Sequence, residues 1–144
     1  MPTPSTRHSI DPATAKPLFE VPVARKEDLD SAVQHARAAF KSWSRTTFEE
    51  RSKLILAYAD AVEANRESLE RLQTMEQGKP LSLAQTEVTM AVTWLRKFST
   101  MELKSEVLED SEERTIYSTF PPLGVCAAIV PWNWPIVGSL PLPI

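Results

Sequence analysis

From Leu123 to Val130 the chain carries an unbroken apolar run that ends in Pro131-Trp132-Asn133-Trp134-Pro135. No other stretch restricts the fold as strongly. A continuous run of this kind predicts a strand buried on both faces, as in a parallel sheet. The two prolines restrict the backbone on either side of Asn133, and Trp132 and Trp134 supply flat apolar walls. A neutral carboxamide donates a hydrogen bond without titrating, so Asn133 suits the stabilisation of a developing oxyanion. Asparagine at the end of a strand equally suits capping the helix that follows. Both readings of Asn133 stand at this stage.

The rest of the chain predicts helices. Leu29, Ala32, Val33, Ala36, Phe40 and Trp43 recur at helical spacing, which predicts a helix over 26–43 with that stripe facing inward. Thr47-Phe48-Glu49-Glu50 is a capping box and opens a second helix, whose expected inner face is Leu54, Ile55, Tyr58, Ala61 and Val62. A break is expected near Asn65, with Leu69, Leu72 and Met75 continuing to Gly78. Gly78-Lys79-Pro80 reads as a stop signal, because Gly accepts a left-handed cap and Pro cannot continue the ladder. Ser82-Leu83-Ala84-Gln85 is a second capping box, opening a helix to about Met101 with Val88, Ala91, Val92, Leu95 and Phe98 inward. Two short extended pieces flank Asp11-Pro12-Ala13-Thr14, a turn sequence. Residues 104–113 read as an acidic connector, and 114–120 alternate as a strand would.

With 144 residues the chain is one domain or part of one. A formal charge of −3, with cations interleaved among carboxylates, gives no electrostatic footprint for nucleic acid. Residues 123–144 are apolar, but Pro131, Pro135, Pro141 and Pro143 argue against a membrane span. A single cysteine, Cys126, excludes an internal disulfide and fits a reducing, cytoplasmic compartment. Its apolar neighbours predict a buried, structural thiol. His8 and His35 have no ligand-spaced partners, so no metal site is expected. Three glycines, at 78, 124 and 138, cannot form a Gly-x-Gly-x-x-Gly turn. No Glu or Asp is recognisable from pattern alone as a buried general base.

Six stretches, in order, carry a resemblance. They are Asp11-Pro12-Ala13-Thr14, Ala39-Phe40-Lys41-Ser42-Trp43, Phe48-Glu49-Glu50-Arg51, Glu76-Gln77-Gly78-Lys79-Pro80-Leu81, Pro122-Leu123-Gly124-Val125 and Pro131-Trp132-Asn133-Trp134-Pro135. Together they resemble the N-terminal part of the aldehyde dehydrogenase superfamily. The resemblance implies an α/β fold: a fragment of the dinucleotide-binding domain, mainly amphipathic helices plus a strand pair and the first strand of a parallel sheet. It divides the chain into a flexible N-terminus (1–9), a partial N-terminal cofactor-binding domain (10–137) and a divergent C-terminal tail (138–144).

By resemblance, the family reaction is NAD- or NADP-dependent oxidation of an aldehyde substrate to a carboxylic acid. Asn133 matches the family's oxyanion donor, and Ile129, Val130, Pro131 and Trp132 match residues along the cofactor. Cys126 matches an ordinary strand position rather than the nucleophile. The sequence stops before the family's nucleophilic cysteine and general-base glutamate, so the expectation is a truncated homologue, inactive by itself. Ala15 stands where the family usually has Gly. The alternatives are an interaction protein, associating with itself or with a full-length aldehyde dehydrogenase subunit, and a helical binding module.

Overall fold

The structure is a computed structural model that describes residues 5–140. The chain begins with an antiparallel hairpin of β1 (Thr6–Ile10) and β2 (Pro17–Pro22). Four helices follow: α1 (Lys26–Trp43), α2 (Phe48–Ala64), α3 (Arg66–Gln77) and α4 (Leu81–Phe98). A second antiparallel hairpin, β3 (Glu106–Asp110) with β4 (Thr115–Ser118), precedes a one-turn helix, α5 (Pro135–Gly138). The hairpins are separate two-stranded sheets. No helix among the described residues is long and apolar enough to cross a membrane.

The core is helical and centred on α4. Ala84, Val88, Ala91, Val92 and Leu95 are buried along one face of that helix, as its periodicity predicts. Ala59 and Val62 of α2 and Leu140 complete the buried cluster, and Ile55, Leu69, Ile136 and Val137 pack around it. Ala59 and Ala91 are fully buried, and small residues at a helix crossing let the backbones come close. Burying a side chain the size of Leu95 or Val88 contributes about 1.5–3 kcal/mol. At one end of the packed pair, the Ser52 hydroxyl donates to the Ser99 carbonyl at 2.7 Å, tying α2 to the end of α4.

Local signals mostly act where the sequence places them. The Thr47 hydroxyl accepts the Glu50 N–H at 3.1 Å, and the Glu50 carboxylate accepts the Thr47 N–H at 2.8 Å, closing the capping box of α2. Gly78 ends α3 in the left-handed conformation, φ 71°. In the first hairpin, Asp11 Oδ1 accepts from the N–H groups of Ala13 and Thr14, shaping the turn.

Several expectations are corrected. The second capping box does not form, because α4 starts one residue before Ser82 with Pro80 at the cap and no side-chain cap bond. Proline's fixed φ and the Gly78 turn already set that boundary. The acidic connector contains β3, with Arg114 paired to Glu109 across the hairpin. The inner face of α2 runs through Ile55, Ala59 and Val62, while Leu54 and Tyr58 are exposed. On α3, Leu72 and Met75 are exposed, and the buried residues are Glu70 and Gln73. No residue of α1 is buried, and Leu29 in its apolar stripe is 63% exposed. Periodicity locates an apolar face, but burial needs a neighbour to cover it.

The largest correction concerns residues 123–130. They form no strand, and Leu123, Val125 and Ile129 are exposed. A parallel strand exists only as part of a ladder, and among the described residues no strand runs beside this segment. Cys126 is accordingly exposed rather than buried, with its thiol 3.7 Å from the Gly124 carbonyl oxygen. Pairing in β1 begins at Thr6, inside the segment expected to be a flexible N-terminus. Residues 1–4 of that segment, and 141–144 of the C-terminal tail with Pro141 and Pro143, lie outside the described residues.

Candidate functional site

Asn133 sits in the turn over 132–134 that leads directly into α5, and it is exposed. It does not cap that helix: the cap position is Trp134, with no side-chain cap bond. Among the described residues no hydrogen bond engages the Asn133 carboxamide. Trp132, beside it, is 77% exposed, while Trp134 on the other side is half-buried.

The four residues preceding Asn133 divide in two. Val130 and Pro131 lie against the first turn of α5, so that a Cβ built on Gly138 would meet Val130 Cγ1 at 2.9 Å and Pro131 Cδ at 3.3 Å. Ile129 and Trp132 stand out from the surface, Ile129 completely so. Residues 129–133 therefore form an apolar ledge, bracketed by Trp132 and anchored at its C-terminal end by α5.

The anchor lies below the ledge, and pattern reading misses it. Glu87 on α4 is 0% exposed, and its Oε1 accepts the backbone N–H groups of Ile136 (2.7 Å) and Val137 (3.1 Å) in α5. Its other oxygen, Oε2, pairs with Lys79 Nζ. Lys79 also donates to Gln73 Oε1 at 3.0 Å, and its ammonium lies 4.5 Å from the centroid of the Trp134 ring. Within this cluster only the Gln73 amide nitrogen lacks a partner among the described residues. A sequence signal was available: Glu87 falls inside the apolar stripe of α4, between Ala84 and Val88, where a charge survives only if it is paired.

No cluster of His, Cys, Asp or Glu among the described residues could hold a metal ion, and His35 only contacts Ser31 Oγ at 3.3 Å on its own helix. For a dinucleotide, the ledge fits as one wall. Ile129, Val130, Pro131 and Trp132 offer a flat apolar surface of the kind a nucleotide ring packs on. Residues 115–144 themselves contain neither Lys nor Arg and no glycine-rich turn to meet a pyrophosphate.

The arrangement is an exposed amide donor on a pinned turn beside an apolar ledge. Residues 2–140 match the aldehyde dehydrogenase family. The chain belongs to that family. Aldehyde dehydrogenase LUC3 from a Fusarium species is 36% identical over 90% of this chain and 28% of its own length. A betaine aldehyde dehydrogenase of Staphylococcus aureus in complex with NAD+ superposes with a TM-score of 0.89 at 31% identity, over 94% of this chain and 28% of that one. An aldehyde dehydrogenase of Bacillus cereus gives 0.88 at 35% identity over the same shares. The chain spans 26–29% of the length of the curated aldehyde dehydrogenases it matches. Its helices and hairpins are thus an N-terminal fragment of the family's α/β dinucleotide-binding region.

Proposed function

We propose that this chain is the N-terminal part of an NAD- or NADP-dependent enzyme that oxidises an aldehyde to a carboxylic acid, with Asn133 as its oxyanion donor. The observation that carries the reading is the exposed carboxamide of Asn133, held on the turn before α5 with no competing hydrogen bond among the described residues. When a thiolate adds to an aldehyde carbon, the carbonyl electron pair moves onto oxygen. A fixed amide N–H aimed at that oxygen lowers the barrier by about 3–4 kcal/mol and never competes for the proton. Ile129, Val130, Pro131 and Trp132 then form the apolar wall along which the cofactor lies. Bound NAD or NADP supplies the hydride acceptor.

These residues supply a donor and a wall. They supply neither the attacking thiolate nor a base, since Cys126 is the one cysteine of the 144 residues and lies in the apolar run. Catalytic groups act as a unit, so an isolated oxyanion donor yields little rate. The 144 residues alone are therefore inactive, and they hold dinucleotide weakly because residues 115–144 carry no cation of their own for its phosphates. A single unpaired thiol suits a reducing, cytoplasmic setting. Association with itself, or with a longer relative, is supported by the uncovered stripe of α1, where Leu29 and Trp43 face solvent.

The test is NAD(P)H formation from a panel of aldehydes by the purified 144-residue chain, alongside titration of its tryptophan emission with NAD and NADP. No turnover and no saturable quenching are expected. Turnover that disappears in Asn133→Ala would overturn the claim of inactivity while supporting the donor role. Turnover unaffected by that substitution would remove Asn133 from the chemistry.

A further inference from the structure

We infer that Glu87, held by Lys79, is the positioning residue for Asn133. This inference rests on the reading of Asn133 as the oxyanion donor, but its geometry stands independently of it.

An oxyanion donor acts only if its direction is set before the charge develops. Asn133 has little of its own to set that direction, because it is exposed and lies in a short turn. Its upstream neighbours are also exposed, apart from half-buried Val130 and Gly124 in the stretch over 123–133. What holds the turn must come from downstream. There Trp134 stands at the cap position of α5, and α5 is too short to hold its own geometry, since a single helical turn is unfavourable without tertiary support.

Glu87 supplies that support with one carboxylate oxygen. Oε1 takes the amides of Ile136 and Val137, which are second and third in α5 and have no partner within the helix. A carboxylate is the strongest available acceptor for such amides, and its charge favours the positive end of the helical turn. The orientation of Glu87 is set in turn by Lys79, which lies between Glu87 Oε2, Gln73 Oε1 and the face of Trp134. The cation therefore grips both the carboxylate that holds α5 and the aromatic ring adjoining Asn133. Substrate never touches Glu87, which is completely buried. Its effect on chemistry is exerted through the turn.

The fragment Glu76-Gln77-Gly78-Lys79-Pro80 gains a purpose from this. Gly78 turns left-handed to end α3, and Pro80 starts α4. Lys79 between them is thereby directed into the space between α3, α4 and α5. A motif that looks like a helix stop is also the mount for the cation.

The test compares two double variants, Lys79→Met/Glu87→Gln and Lys79→Met/Glu87→Leu, by NMR of the isotopically labelled 144-residue chain. Both remove the carboxylate without leaving an unpaired buried ammonium, so α2–α4 stay folded. In Lys79→Met/Glu87→Leu, the Ile136 and Val137 amides are expected to exchange with solvent about tenfold faster, as loss of a charge-assisted hydrogen bond implies. The Asn133 backbone amide signal should move toward its random-coil position, while signals of the Thr47–Glu50 cap stay in place. Lys79→Met/Glu87→Gln keeps a carbonyl acceptor for the two amides, and should restore the Asn133 signal most of the way. A merely structural role would lower stability throughout and leave Asn133 no more affected than the distant cap. An unmoved Asn133 signal in folded Lys79→Met/Glu87→Leu, or loss in Lys79→Met/Glu87→Gln as complete as in Lys79→Met/Glu87→Leu, would overturn the inference. Neither readout requires turnover, so failure of the oxyanion reading in the aldehyde assay is a separate result.

Discussion

The ring of Pro12 occupies the place where a side chain on Gly78 would stand: a Cβ built there meets Pro12 Cγ at 2.9 Å. This contact sets the first hairpin against the end of α3. It also explains why Gly78 does more than end a helix. Its φ of 71° permits the turn, and its missing side chain leaves room for the hairpin.

Gly78→Ala is therefore expected to cost about 1–2 kcal/mol, combining a left-handed alanine with a contact against a rigid ring. Urea titration followed by circular dichroism measures it. A midpoint equal to that of the parent chain would show that the hairpin moves aside freely.

Ala15 is the converse case. It adopts φ 56°, the one positive φ outside glycine among the described residues, in a turn closed by its N–H donating to the Asp11 carbonyl at 2.8 Å. Ala15→Gly removes the Cβ penalty and is expected to stabilise the chain by about 1 kcal/mol. Ala15→Val, with a branched Cβ, is expected to shift the same titration the other way.

Lys79 and Glu87 differ sharply in what single and double substitution should do. Lys79→Met leaves a fully buried carboxylate without its cation, an expected loss of about 3 kcal/mol or more. Lys79→Met combined with Glu87→Leu removes both charges and is expected to recover most of that loss. Thermal melts of the parent, Lys79→Met, Glu87→Leu and the double variant check it, with additivity of the single effects as the contrary result.

Gly138→Ala tests the ledge. The new Cβ would lie 2.9 Å from Val130 Cγ1, and Val130 has few rotamers to escape into. Alanine also favours helix over glycine by about 1 kcal/mol, which offsets the global cost. The expected outcome is a displaced Val130 methyl signal with the melting temperature within a few degrees of the parent. An unmoved Val130 methyl would show that the contact is not maintained in solution.

Acid should weaken the α2 cap. The Glu50 carboxyl is held below its ordinary value mainly by the backbone N–H of Thr47, then by the Thr47 hydroxyl. A carboxylate whose folded pKa is depressed stabilises the fold above its unfolded pKa, about 4.3, and loses that contribution as pH falls through the lower folded value. Glu63 behaves alike, lowered first by its hydrogen bond from Arg66. Helicity should therefore decline on acidification below that range, and less steeply in Glu50→Gln, which has no carboxylate to protonate. Identical acid profiles for the two chains would remove Glu50 from the response.

Much of this protein is determined locally. The Thr47–Glu50 box, the Gly78 cap, the Asp11 turn and the apolar stripe of α4 each involve residues within a few positions of one another, so sequence alone reveals them. The six ordered stretches place the chain in its family for the same reason, since motifs are local strings. What sequence could not settle is which apolar surface has a neighbour. Leu123–Val130 has the composition of a buried strand and α1 that of a packed helix. Neither is buried here, because burial is a property of two surfaces and periodicity describes one. Glu87 shows the same limit in reverse. Its donors, Lys79, Ile136 and Val137, come from two other segments, up to fifty residues distant in the chain, and Gln73 on a third accepts from the same Lys79. Only the packing of α3 and α5 on α4 brings them within hydrogen-bond range, and only there does a charge in an apolar stripe become a support for the turn that carries Asn133.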